Sequence, residues 1–210
     1  MSRKNEMTLI TQSLLSSYAY IFDVDDDFRE SAEEDFLRAL NRERGETTKA
    51  QQAGIDFEGE VYALAEHGIA PSNAKTMTGV YKVAARITGA QTQVKLSRPI
   101  TVGGHDFLVY GIADAVRAGE IFDVKFSTKS LGSADFYGKY LHSPQHPAYF
   151  YCLPQAFRFT YLISDGVDLY EETYTPEWGL LEGYISYLMD YLKEADLWDL
   201  YCEKWRARDQ

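Results

Sequence analysis

The chain has 210 residues, 45% of them hydrophobic and 25% charged, which excludes global disorder and is long enough for one domain with a sizeable core. It has no run of about 18 apolar residues, so no membrane span is expected; its two cysteines, Cys152 and Cys202, are too few for a four-cysteine zinc or iron–sulfur site and fit a reducing, cytoplasmic setting. The net charge of −11 argues, taken alone, against a nucleic-acid partner. Its distribution argues differently. Residues 1–74 carry 7 basic and 15 acidic side chains and residues 161–210 carry 4 and 12, whereas residues 75–160 carry 10 and 5. A basic middle segment between acidic flanks can hold phosphates in an acidic molecule.

The opening MSRKNEMTLITQS is basic, but Thr11 and Gln12 interrupt its apolar run, which argues against a signal peptide. Asp25, Asp26 and Asp27 read as a solvated loop or helix start. Ser31 and Glu34 form a capping-box pattern ahead of Phe36, Leu37 and Leu40 at helical spacing, and Gly45 reads as the stop. A second helix is expected from about Thr48 to His67, with Ile55, Val61, Leu64 and Ala65 on one side and Gly68 ending it. A third runs from about Ala74 to Thr88, with Met77, Val80, Tyr81, Ala84 and Ile87 in register.

The pattern then changes period. Val94–Ile100, Phe107–Val116 and Glu120–Ser127 read as strands joined at Gly103-Gly104 and Ala118-Gly119. A short helix near Gln145–Tyr151 precedes a hairpin of Phe157–Ser164 and Asp168–Tyr174. A long helix from about Pro176 carries the stripe Leu181, Ile185, Leu188 and Leu192, and a segment with Leu197, Trp198, Tyr201 and Trp205 follows. The last residues, YCEKWRARDQ, read as a frayed tail. This order predicts a single mixed α/β (α+β) domain, with a helical part over about 8–90 and a sheet with closing helices over about 91–205.

The strand text GIADAVRAGEIFDVKFS places charge where a hairpin should be apolar. Side chains alternate across a strand, so Asp123 and Lys125 share a face and Val124 takes the other. The turn at Ala118-Gly119 makes the preceding strand antiparallel and can bring Asp114 near Asp123. Two close carboxylates repel unless a positive charge lies between them, and a Mg²⁺ ion with oxygen ligands meets that need beside a phosphate. The lysine can orient or deprotonate water, and together these groups suit phosphodiester hydrolysis. The alternative is an edge hairpin whose Asp–Lys pair faces solvent and contributes ~0–1 kcal/mol.

These residues resemble the PD-(D/E)XK nuclease superfamily, in its RecB-like and phage exonuclease-like branch. The matching pieces occur in order: Glu58 in the helix text AGIDFEGEVYAL, Asp114 on one strand, Asp123 and Lys125 on the next, and Gln145 with Tyr149 as Gln-x-x-x-Tyr in SPQHPAYFY. TLITQSLLSSY is also similar to the serine-rich start of an N-terminal helix in that branch. The residue before Asp114 is Ala113, where the family's name has proline, and no phosphate-loop motif is present.

The resemblance implies a restriction-endonuclease-like core, a central mixed β-sheet flanked by helices. It implies one or two Mg²⁺ or Mn²⁺ ions held by Glu58, Asp114, Asp123 and the Val124 carbonyl, with no iron–sulfur cluster, and Lys125 acting on the water. Cleavage would leave a 5′-phosphate and a 3′-hydroxyl on DNA ends or single strands, in recombination or repair, in a phage or mobile-element setting. A separate helicase or single-strand annealing protein is an expected partner. Glu60 is the alternative helical acid, and surface placement is open for both. Gln145 and Tyr149 face one way on a helix and are expected to touch phosphate or base, with an ordinary core role for Tyr149 as the alternative. Pro147 disturbs the turn between them, so a later helix start is also open. Lys129, with Lys139 and Arg158, is read as a phosphate contact or as a solubilising charge; His146 is placed to touch DNA. A non-catalytic DNA- or protein-binding module on the same fold is the rival reading.

Overall fold

Strand β3 (His105–Arg117) organises the molecule, because three other strands pair with it. In this computed structural model, residues 7–43, 45–132 and 136–207 are described; the basic opening at Arg3 and Lys4 and the last three residues of the tail lie outside them. Strand β2 (Gln91–Val102) runs antiparallel along nearly the whole of β3. That occupies one edge, so β1 (Thr8–Thr11) and β4 (Glu120–Phe126) must share the other. Strand β1 pairs in parallel with Phe107–Tyr110, and β4 pairs antiparallel with Ala115–Arg117. β5 (Arg158–Ser164) then adds in parallel to β4, and β6 (Leu169–Tyr174) adds antiparallel to β5. The result is a six-stranded mixed sheet flanked by helices.

Strand β1 corrects the start of the helical part expected over about 8–90, because Thr8–Thr11 is extended. Its four residues end at Thr11, whose hydroxyl caps α1 (Gln12–Asp23) by accepting from the Leu14 N–H. The tail is a second correction. Tyr201 and Trp205 are buried, Leu9 N–H donates to the Trp205 carbonyl, and Thr8 bridges Arg206, so the C-terminal residues close over β1.

Helix α2 (Asp26–Leu40) starts ahead of the Ser31 pattern: Asp25 is its N-cap, and Asp26 and Asp27 lie in the first turn, where the helix dipole favours acids. Ser31 is therefore interior, and the helix ends before Gly45. Helix α3 (Lys49–His67) has the expected bounds, with Thr48 and Gln51 forming a reciprocal capping box and Gly68 left-handed at its end. Its buried face is Phe57 and Val61, while Ile55 is exposed. Helix α4 (Met77–Ile87) buries Val80, Val83, Ala84 and Ile87, and leaves Met77 and Tyr81 outside.

These helices divide the core. α1, α2, α6 (Leu180–Glu194) and α7 (Trp198–Lys204) pack around β1 and the start of β3. α3 and α4 cover Ala115, Phe122, Val124 and Leu162. On the opposite face, α5 (Gln145–Cys152) covers Ala113, Ile121, Phe159, Tyr161 and Ile163. Fully burying a side chain such as Phe122 or Val124 contributes about 1.5–3 kcal/mol, so β4 is fixed from both faces. Among the described residues, no helix is long and apolar enough to cross a membrane.

Candidate functional site

The shared edge of β3 has a gap. Pairing with β1 ends at Tyr110 and pairing with β4 starts at Ala115, so Gly111, Ile112, Ala113 and Asp114 lie between two partners. Continuing the register would place Asp114 opposite Asp123, but the ladder stops one pair short, at Ala115 and Phe122. The side chain replaces the backbone there: Asp114 Oδ2 accepts the Val124 N–H at 2.8 Å. Opposite Asp114 on β2, Gln93 takes φ 50, a left-handed conformation that is uncommon for a non-glycine residue. The sheet thus forks at Asp114.

Asp123 and Lys125 project from β4 toward the α5 face. Asp123 is 3% exposed. Its Oδ2 lies 2.7 Å from Lys125 Nζ, an ion-pair contact off the line of a well-formed hydrogen bond, and its Oδ1 accepts from Gln145 Nε2. Glu58 approaches from α3 on the far side of Lys125, the two lining a common hollow with Gly54 and Phe126. Tyr62, one turn after Glu58, carries a buried hydroxyl whose ionisation is disfavoured first by burial and then by Asp114, Glu58 and Asp123. Its i+4 spacing from Glu58 is the one sequence signal that places it there.

The charges are mutually perturbed. Burial, and then Asp123, push the Asp114 carboxyl up to about 8. Burial also raises Glu58, which Lys125 opposes and Asp123 reinforces. Burial alone would lower Lys125, but Asp123 outweighs it and holds the ammonium charged above its ordinary range. Three carboxyl groups therefore face one cation in a partly desolvated place, and burial pushes two of them, Asp114 and Glu58, toward their protonated forms.

That donor set fits a divalent cation by its chemistry: hard carboxylate oxygens, with Asp123 buried and only one cationic side chain, Lys125, set against it. Val124 C=O faces the same fork as its N–H, because both groups of a residue point to one side of an extended strand. Among the described residues, no group of three or more His, Cys, Asp or Glu side chains is positioned to hold a metal ion.

The remaining expected residues are placed differently. Glu60 turns away: its carboxylate accepts from the Ser72 N–H and hydroxyl and from the Asn73 N–H. Burial works against its charge, but those bonds outweigh it and hold the group below its ordinary value. Gln145 and Tyr149 do not face solvent; Gln145 braces Asp123, and the Tyr149 hydroxyl donates to the Ile112 carbonyl at 2.7 Å. Pro147 does not delay α5, since it falls in the first turn, where a missing N–H costs nothing. His146 is buried, its ring stacked on Tyr174 at 4.2 Å. Arg158 is engaged with Glu120 at 2.8 Å. Lys129 is exposed and shares a small hollow with Lys125 and Lys139.

No protein-family model matches this chain, and no curated protein matches it. Its fold is similar to the crystal structure of SSO0001, with a TM-score of 0.50 and 16% identity over 91% of this chain and 78% of that one. Weaker likenesses are to LHK-Exo in complex with dAMP, TM-score 0.47 and 13% identity over 92% of each chain, and to Scheffersomyces stipitis Rai1, TM-score 0.36 and 12% identity over 90% of this chain and 61% of that one. At such identities the shared feature is architecture: a central mixed sheet flanked by helices.

Proposed function

We propose that the protein is a metal-dependent nuclease that hydrolyses DNA phosphodiester bonds, working as one domain. The observation that carries this reading is the fork itself, where Asp114 interrupts a β-ladder to sit beside Asp123 and Lys125. Glu58, Asp114, Asp123 and the Val124 carbonyl would hold one or two Mg²⁺ or Mn²⁺ ions, and Gln145 fixes the orientation of Asp123. A bound cation supplies charge stabilisation at phosphate oxygens and a more acidic water. Lys125 acts as an ammonium, orienting the nucleophilic water and stabilising charge at phosphate, because Asp123 keeps it protonated. Lys129 and Lys139 neutralise backbone phosphate without reading sequence. The products are a 5′-phosphate and a 3′-hydroxyl, and the setting is DNA end processing in recombination or repair, beside a separate helicase or annealing protein.

The second reading is a non-catalytic DNA-binding module, favoured by the absence, among the described residues, of a three-ligand cluster positioned to hold a metal ion. End-labelled linear single- and double-stranded DNA, with closed circles alongside, is incubated in Mg²⁺, Mn²⁺ or EDTA with wild type and Lys125→Ala. Cleavage that requires metal and disappears in the variant supports the nuclease. Equal inertness of both proteins, with DNA binding indifferent to EDTA, supports the module.

A further inference from the structure

A cleft of about 910 Å³ opens beside the charged cluster, with Lys125 and Gln145 among its lining residues. Its walls come from three separate parts of the chain: Tyr18, Tyr20 and Phe22 on α1, Tyr140 on the segment before α5, and Tyr184 and Tyr187 on α6. Tyr18 belongs to the core and Tyr140 is stacked on one face by Tyr161, so the rings the cleft offers most fully are those on the exposed turns of α1 and α6. Tyr20, Phe22 and Tyr187 are 53%, 61% and 69% exposed, so much of their ring surface is left to solvent. Exposed apolar surface gathered at one place marks a contact surface.

The less exposed parts of the cleft are firmly set. Tyr140 stacks on Tyr161 at 4.1 Å and 16°, and the Tyr140 N–H donates to the buried Glu172 carboxylate. The Tyr184 hydroxyl donates to the His142 carbonyl, and the Tyr18 hydroxyl donates to the Tyr187 carbonyl, tying α1 to α6. The rings therefore stand on a prepared frame and need little ordering when a ligand arrives. Two lysines, Lys125 and Lys139, line the cleft together with Asp23.

We propose that this cleft binds a single-stranded nucleic-acid segment, with its bases stacked on the α1, α6 and Tyr140 rings and a phosphate drawn to Lys125 and Lys139. The inference rests on the nuclease reading for its placement beside the cluster. Stacking on aromatic faces is tolerant of sequence, because every base has a π-face, and it is denied to a duplex, whose faces are already stacked. The two lysines supply the complementary charge for phosphate.

The test measures binding without catalysis. Fluorescein-labelled oligo-dT and oligo-U of about eight nucleotides are titrated in EDTA and followed by anisotropy, with a duplex of equal length as competitor. Tyr187→Ala and Tyr20→Ala each weaken single-strand binding by about 5- to 150-fold, the range for loss of one base–aromatic stack, whereas Tyr187→Trp retains it. Tight binding of either polymer supports the inference. Affinity unchanged in both alanine variants overturns it, as does equal binding of the duplex. A concentration-dependent dimer in sedimentation velocity, lost in Tyr187→Ala and accompanied by no oligonucleotide binding, also overturns it and assigns the rings to a second copy of the chain. Ring-dependent binding by a protein that never cleaves leaves this inference standing and removes the nuclease reading. Cleavage with ring-independent binding does the reverse.

Discussion

Asp114 on β3 takes the backbone N–H of Val124 on β4 at 2.8 Å, so a side chain stands where the next ladder bond of the hairpin would be. The carboxylate thus ends the pairing and is held at the opening it creates. Its neighbours make this a costly place for charge, since burial and Asp123 both favour its protonated form.

Replacing Asp114 separates stability from activity. Its folded pKa of about 8 lies above the unfolded value near 3.8, so the folded state binds the extra proton. The associated stability is present at low pH and is lost as pH rises through about 8. Asp114→Asn keeps an acceptor for Val124 and removes the repulsion. In EDTA above pH ~8 the variant melts higher than wild type, while in Mg²⁺ only wild type gains stability and cleaves. Thermal melts across pH, with and without Mg²⁺, check this; a variant that is less stable in EDTA yet still stabilised by Mg²⁺ contradicts it.

A separate acid sensitivity comes from His146. Burial lowers its pKa to about 4 from the ordinary 6.5, and its ring lies against Tyr174, with its Nδ1 3.4 Å from the Tyr161 hydroxyl. The unfolded chain binds the proton first, so stability is full above about pH 6.5, falls as pH drops toward 4, and levels off below that. The loss amounts to about 3 kcal/mol over that window. Urea denaturation of wild type and His146→Phe at several pH values reads it directly: the variant lacks this part of the slope. Parallel slopes would exclude a buried neutral imidazole.

Gly111 lies in the gap of β3, where the absence of a side chain admits the Tyr149 ring. A Cβ there would meet Tyr149 Cε1 at 2.4 Å, with the Tyr149 hydroxyl bonded to the next residue's carbonyl. Gly111→Ala is expected to cost about 1–3 kcal/mol by overpacking and to lower activity by displacing the strand that carries Asp114. The cost shrinks when Tyr149→Ala is also present, because the clash is then gone. A double-mutant cycle in urea measures this coupling, and additive costs would place the strain elsewhere.

The fork was partly legible in the sequence because its signals are local. Asp123 and Lys125 share a face by alternation, and the Ala118-Gly119 turn sets which residue opposes which. Thr48, Gln51 and Gly68 likewise bracket α3 through bonds between near neighbours. What was not legible depends on distant partners. β1 is four residues that run directly into the cap of α1, and its strand state is decided by Phe107–Tyr110 and by the closing tail at Trp205 and Arg206. Tyr201 and Trp205 looked like a tail because their burial is supplied by residues near the other end of the chain. The inward aim of Gln145 and Tyr149 was hidden for a related reason. Helical spacing gives a shared face, and only the packing of α5 on the sheet decides that this face points to Asp123 and Ile112.

Two acids on α3 give a paired test of the site's boundary. Glu58 and Glu60 are two residues apart on a helix and so point to different sides. Glu58 faces Lys125 and Asp123, which perturb it, whereas Glu60 accepts three hydrogen bonds from Ser72 and Asn73 and secures the connection toward α4. Glu58→Gln therefore lowers metal-dependent cleavage by more than about 100-fold, beyond the range for outer partners of metal ligands, with stability in EDTA unchanged or slightly higher. Glu60→Gln has the opposite signature: it weakens charge-assisted bonds worth about 1.5–3 kcal/mol each, and less at this half-buried, solvent-screened position, so it melts lower while cleaving at close to the wild-type rate. Melting curves and initial rates on both variants decide the matter. Loss of cleavage in Glu60→Gln with Glu58→Gln active would move the helical ligand by two residues and place the cation site on the wrong side of α3.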